Sequence, residues 1–434
     1  MNQDRFKNYD PEVRELVLSF EKQTEGNTAY FDVDQLEVIA DFYLEVYDTQ
    51  GLEAAVALGE QLFPTSCEIR LRRAHLLNIQ GRYPEALTIL HELESAEPDN
   101  TDVSYALGAL YSQIGQTQKS IDHYLKAATD GYQIDVIYCN IADEYYKLGQ
   151  YDQAIEYYIK SIDQNPDEGQ ALYNLACIWD SQGNNEKSQQ FFSQLVADHP
   201  YSKNGWYCLG GIYGSMSLFE KAVDAYEYAI AIDKAFVQAY HGLSDCYRQM
   251  GDTARAVQAL HDCLDYTQDR PYVYYCMGSA FMESHNYHTA SAYLHDAVKE
   301  DPSYALAWNN LGFCCEQLGL HEEADGHYRR AINLEPDVDE NWLSLADLYI
   351  KNNQYEGACI TLENARHDAA VRFAFNTRLI YCYFKLGRRN KLFEIMIEDG
   401  KQYGYLYPTL LQVYPELSQD IEIVDFINSF NTNE

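Results

Sequence analysis

A single period constrains this chain more than any other feature in it. Windows of 34 residues opened at Cys67, Thr101, Asp135, Gly169, Lys203, Val237, Pro271, Ala305 and Asp339 run without insertion or deletion over residues 67–372. The eighth position of every window is small, as in Ala74, Gly108, Ser244 and Gly312. The twentieth is always Ala or Ser, as in Ala86, Ser120 and Ala358. Large residues recur between them, with Leu107 and its counterparts at the seventh position, Tyr111 at the eleventh and Tyr124 at the twenty-fourth. These spacings give each window two helices with one apolar face apiece. Gly81, Gly115, Gly149, Gly183, Gly251 and Gly319 at the fifteenth position suit the left-handed residue that ends a helix. Pro98, Pro166, Pro200, Pro302 and Pro336 stop the second helix. One helix pair cannot bury its apolar face alone, so neighbouring pairs must stack.

The run W/Y-x-x-L-G/A-x-x-Y, followed by Ala at position 20 and Pro at position 32, resembles the tetratricopeptide repeat. Trp308, Leu311, Gly312, Gly319, Ala324, Tyr328, Ala331 and Pro336 form its fullest example. The resemblance implies an all-α fold, a right-handed superhelical solenoid of stacked helix–turn–helix repeats with the first helices lining the concave side. The expected organisation is N-terminal capping helices and a degenerate repeat over 1–66, nine repeats over 67–372, and a degenerate repeat with a capping helix over 373–434. One continuous stack is expected, with no second domain. Within 33–66 the second helix reads as out of register, and in 373–406 Leu392 takes the usual Ala site. Asp10-Pro11 reads as a helix start, and Asp34-Gln-Leu-Glu37 as a capping box. Leu417, Ile421, Val424 and Ile427 read as one stripe of a closing helix.

Composition narrows the function classes. With 67 acidic against 31 basic residues the net charge is −36, which disfavours nucleic acid and anionic membranes as partners. No apolar run approaches the ~18 residues needed to span a bilayer. The start MNQDRFKNYD lacks the features of a signal peptide. The 11 cysteines include no CxxC pair and read as reduced thiols, so a cytoplasmic protein is expected. No phosphate-binding or dinucleotide glycine loop, HExxH or GxSxG is present, so neither enzymatic activity nor a cofactor is expected. His285, His288 and His295 read as surface histidines rather than metal ligands, as do His321 and His327 around Glu322 and Glu323. Cys314-Cys315 reads as core packing. Arg70, Arg72 and Arg73, and Arg388, Arg389 and Lys391, read as solvated faces or internal ion pairs.

What the resemblance implies about function is protein binding along the first helices. Asn140, Asn174 and Asn310 at position 6 offer amides of the kind that family members use to hold a peptide backbone. Tyr173, Tyr207 and Tyr275 at position 5 offer aromatic contact area. Asp143, Asp180 and Asp245 face the same side, interrupted by Arg248, and suit a peptide of some basic character. The helix KNGWYCLGGIYGSM carries Gly211 and Gly214 on that side. With Cys208 and Gly242 they are expected to leave a recess rimmed by the tyrosines. The reading is a non-catalytic scaffold or adaptor. An assembly or secretion chaperone for a basic client, and a regulatory subunit docking an enzyme, stand as alternatives.

Overall fold

The computed structural model describes residues 3–6, 9–24, 30–128, 133–365, 372–403 and 406–431. Among these the regular structure is helical and no strand occurs. The chain divides into two compact units, residues 1–212 and 213–434. The division falls inside the glycine-rich helix Lys203–Ser215.

Helix boundaries follow the period closely. In all nine windows the first helix ends at position 13 and the second begins at position 17, from Ile79 and Tyr83 to Lys351 and Tyr355. The turn between them has one geometry throughout. The position-16 N–H donates to the position-11 carbonyl, as from Gln116 to Tyr111 at 2.8 Å and from Leu320 to Cys315 at 2.8 Å. That closure requires a left-handed residue at position 15. Six windows supply Gly, with φ between 70° and 76°. The other three place Ser217, His285 and Asn353 there, with φ of 59°, 58° and 57°. A side chain in that region costs about 1 kcal/mol or more. Ser217→Gly is therefore expected to raise stability by about 1 kcal/mol, net of the entropy glycine loses on folding. Urea denaturation of the two proteins checks this, and an unchanged or lower midpoint would contradict it.

The small positions are set by contact. A Cβ built on Gly108 would lie 2.6 Å from the Tyr124 ring, and one on Gly312 would lie 2.8 Å from that of Tyr328. Positions 8 and 24 of one hairpin thus share a single space. Tyr124 and Tyr328 are buried as a result.

The flanking segments repeat the same plan. Helices Val33–Glu45 and Thr49–Leu62 keep the spacing of the windows, and Tyr47 takes the left-handed turn site with φ 56°. The register expected to be off is therefore intact, and only the side-chain pattern has moved. Gly51, one residue before the usual small site, makes the close approach to Tyr43. The capping box lies at Asp32 and Gln35 rather than at Asp34 and Glu37. The Gln35 N–H donates to Asp32 Oδ1 at 2.9 Å, and the Asp32 N–H donates to Gln35 Oε1 at 3.2 Å. Starting there leaves Phe31, just outside the helix, in the same apolar cluster as Leu36. Asp10 does open the helix Pro11–Thr24, accepting from the Glu12 N–H at 2.9 Å. At the other end Asp420 accepts from the N–H groups of Glu422 and Ile423 and starts the helix Ile421–Asn431 afresh. The buried stripe is consequently Leu417, Ile423 and Ile427, while Ile421 is exposed.

Candidate functional site

The first helices carry most of the residues singled out for binding, and many of these are committed to one another. Asn174 donates to Asp143 Oδ1 at 3.0 Å and to the Tyr158 hydroxyl at 2.9 Å. Its amide oxygen accepts from Gln170 Nε2 at 3.0 Å. The Tyr158 hydroxyl also donates to Asp143. Both donors of Asn174 are spent, so it does not stand ready to hold a peptide backbone. Burial pushes the Asp143 carboxyl up, and the Tyr158 and Asn174 hydrogen bonds oppose that. Asn140 donates to the Tyr105 hydroxyl at 3.3 Å.

A rule joins these contacts. An acid at position 9 meets a donor at position 6 of the next repeat. Asp41 meets Arg72, Asp143 meets Asn174, and Asp347 meets Arg378. These rungs tie adjacent hairpins. Their signal, an acid and a donor about 31 residues apart, is present in the sequence and is lost when each position is judged alone. The basic clusters resolve in the same way. Arg70 pairs with Glu92, Arg73 with Glu60, Arg388 with Glu356, Arg389 with Asp420 and Glu422, and Lys391 with Glu363.

The glycine-rich helix is also corrected in part. A Cβ on Gly242 would lie 2.5 Å from the Tyr226 ring, so that ring occupies the space assigned to a recess floor. Cys208 is buried, and burial raises its thiol pKa to about 12. Gly205 sits against its capping residue, donating its N–H to Ser202 Oγ at 2.9 Å. Gly211 is exposed, and a Cβ on Gly214 would meet nothing within 4 Å. Tyr173 is exposed, Tyr207 and Asn310 are half-buried, and Asp180 is exposed and unpaired among the described residues.

Three predicted residues do come together, within the unit 213–434. Helices Val237–Gln249 and Arg270–Glu283 bound a cavity of about 540 Å³ containing Asp245, Arg248 and Tyr275. His241, Tyr272, Cys276, Ser279 and Glu283 complete its working surface. Arg248 is held on both sides. It donates to Asp245 Oδ1 at 2.9 Å and to Glu283 Oε2 at 2.9 Å. Its one positive charge leaves the two carboxylates with a net charge of −1. Aromatic rings form one wall, with His241 and Tyr272 at 5.2 Å, Tyr272 and Tyr275 at 6.4 Å, and Tyr275 and Tyr304 at 5.3 Å between centroids. Burial holds His241 below the usual imidazole range, so it is neutral at pH 7, although Asp245 and Asp269 pull the other way. Burial raises the Asp245 carboxyl, against Arg248 and His241. Burial lifts the Cys276 thiol to about 11, so it is not a nucleophile at neutral pH. Ser279 Oγ is buried with no hydrogen-bond partner. Tyr272, Cys276 and Ser279 occupy positions 2, 6 and 9 of their window, and their position on the first helix is the signal in the sequence that could find them.

Family models for the tetratricopeptide repeat match residues 71–133, 136–168, 170–202, 237–270 and 275–341, more than half of the chain. The chain belongs to the tetratricopeptide repeat family. No curated protein sequence matches it. Among solved structures it is similar to the YrrB protein, described as having an unusual peptide-binding site, at 18% identity over 40% of this chain and 90% of that one, with a TM-score of 0.32. The Cut9–Hcn1 hetero-tetramer of APC/C aligns at 14% identity over 96% of this chain and 93% of its own, with a TM-score of 0.37. PilF of Pseudomonas aeruginosa aligns at 19% identity over 49% and 96%, with a TM-score of 0.38.

Tetratricopeptide repeats are protein-interaction modules, and an array of them is an interaction scaffold that is typically non-catalytic. Among the described residues no helix is long and apolar enough to cross a membrane.

Proposed function

We propose that this tetratricopeptide repeat protein is a non-catalytic scaffold that holds an extended, basic segment of a partner protein. The cavity between Val237–Gln249 and Arg270–Glu283 anchors one cationic side chain of that segment. The observation that carries the reading is the pairing of an aromatic wall with an over-compensated arginine. Tyr272 and Tyr275 line the cavity, and aromatic rings attract cations. Asp245 and Glu283 together outweigh Arg248, so an incoming Lys or Arg meets net negative charge. Ser279 supplies a hydroxyl with no other partner. The net charge of −36 steers such a partner toward the protein at long range.

Peptide arrays graded in net charge test this. Bound sequences are expected to be enriched in Lys and Arg, and affinity is expected to fall between about 0.05 M and 0.3 M salt as exposed charges are screened. Tyr272→Ala and Tyr275→Ala are each expected to weaken binding roughly tenfold, the range of an interface anchor. Equal capture of acidic and basic peptides, or undiminished binding by both variants, would overturn the proposal.

A further inference from the structure

Position 11 of the repeat has a regular environment in this protein. In two windows an aromatic ring there lies under a cation from position 19 and beside a ring from position 23, and four more windows keep one of the two contacts. Tyr111 has Lys119 at 5.1 Å and His123 stacked at 5.3 Å. Trp179 has Lys187 at 5.1 Å and Phe191 at 5.3 Å. Tyr213 and Tyr247 lie under Lys221 and Arg255, and Tyr145 and Phe281 lie beside Tyr157 and Tyr293. The window opened at Ala305 departs from this at positions 11 and 19 together. Position 11 is Cys315, position 19 is Glu323 and position 23 is His327. Ring and cation become thiol and carboxylate, while position 23 keeps an imidazole, as at His123. In no other of the nine windows do these positions carry that set.

The three side chains converge. One ligand atom from each lies within 4.8 Å of the other two. Cys315 comes from the helix Ala305–Gln317, while Glu323 and His327 lie one turn apart on His321–Leu334. We propose that Cys315, Glu323 and His327 form a binding site for one thiophilic divalent cation, with Zn²⁺ the best fit.

Ligand chemistry, charge and reach support this. Thiolate, imidazole and carboxylate are the zinc donor set, and three protein ligands leave a fourth tetrahedral position for water. Bond lengths of about 2.0–2.3 Å bring such ligand atoms to within about 3.5 Å of one another. Glu323 is exposed, so its side chain is free to rotate through that last ångström. Cys315 is 4% exposed, so a bare thiolate there would be costly. A divalent cation reverses that disadvantage. It displaces the thiol proton to solvent and balances one thiolate and one carboxylate, so the half-buried site becomes neutral. His327 is half-buried. Trp308 stacks on its ring at 5.4 Å, and the Trp308 Nε1–H is fixed to the Pro302 carbonyl at 3.0 Å. That stacking sets the ring orientation before metal arrives.

The sequence alone groups His327 with His321, Glu322 and Glu323 and places Cys315 in the core. The turn between the two helices separates the true set by twelve residues.

The test uses the full chain, stripped with a chelator, under a non-thiol reductant and titrated with Co²⁺. One equivalent is expected to give the intense visible bands of tetrahedral cobalt and a thiolate-to-cobalt charge-transfer band, with Zn²⁺ displacing it. Cys315→Ser is expected to abolish the charge-transfer band. Glu323→Gln and His327→Gln are expected to weaken Zn²⁺ binding by roughly tenfold or more. Cys314→Ser, a change at a buried neighbour, is expected to leave the band intact. Absence of the band in the unmodified protein, or its persistence in Cys315→Ser, would overturn the site. Should Cys315→Ser fail to fold, the Glu323 and His327 variants decide, and unchanged Zn²⁺ affinity in both would overturn it equally.

Discussion

Gly312→Leu is expected to cost the protein about 3 kcal/mol, although leucine is the better helix former by about 1 kcal/mol. The first methylene alone would lie 2.8 Å from the Tyr328 ring, inside van der Waals contact. Tyr328 is 1% exposed and has no open side to move toward. Its hydroxyl donates to Glu316 Oε2 at 3.0 Å, and Glu316 also binds Lys351 of the next hairpin. Moving the ring thus strains the core by about 1–3 kcal/mol and strands a buried carboxylate oxygen, for another 1–3 kcal/mol. These costs exceed the gain in propensity. Because repeat arrays need not unfold in one step, hydrogen exchange is the appropriate readout. Protection should fall most in Ala305–Gln317 and His321–Leu334. Gly326→Leu is the control, since a Cβ there meets nothing within 4 Å, and it should gain stability. Equal stability of Gly312→Leu and the unmodified protein would show that the shared space between positions 8 and 24 is not a constraint.

The same steric rule explains what was legible from the sequence. Positions 8, 15 and 20 obey restrictions of shape, and shape restrictions leave a residue-type record at each position separately. The period even locates the left-handed turns at Ser217, His285 and Asn353, where no glycine marks them. Helix starts were less legible. Asp32 and Asp34 are both competent caps, and burial of Phe31 selects the first. Sites were the least legible, because they depend on pairs. Asn174 reads as a free amide until Asp143 and Tyr158 are seen to bind it. Asp245 and Arg248 read as a groove lining in either case. Only the contact with Glu283, one repeat further on, shows that the arginine is outweighed.

Arg72→Met is expected to cost about 2 kcal/mol at pH 7 and markedly less near pH 4. Arg72 is one of the rungs between repeats, with its side chain 12% exposed. Its Nε donates to Asp41 Oδ1 at 2.6 Å, and Nη2 donates to Glu37 at 2.6 Å and to Asp41 Oδ2 at 2.8 Å. Removing one partner of a fully buried pair costs about 3–5 kcal/mol. Here the carboxylates keep part of their water, at 32% and 43% exposed, so the figure is discounted to about 2 kcal/mol. The pH dependence follows from Glu37. Burial holds its carboxyl above the ordinary range, and Arg72 is the largest influence pulling it down. Without Arg72 the folded-state value rises further. A group raised on folding contributes stability that is whole below the unfolded value, about 4.3 for Glu. It loses that contribution as pH rises through the folded value. The variant loses more of it than the unmodified protein does, so the gap between them opens as pH increases and closes on acidification. Paired urea titrations at pH 7 and at about pH 4 measure both gaps, and carboxylates that do not touch Arg72 cancel in the difference. A gap equal at the two pH values would assign the loss to packing of the arginine stem rather than its charge. No gap at either pH would show that the rung adds nothing to the stack.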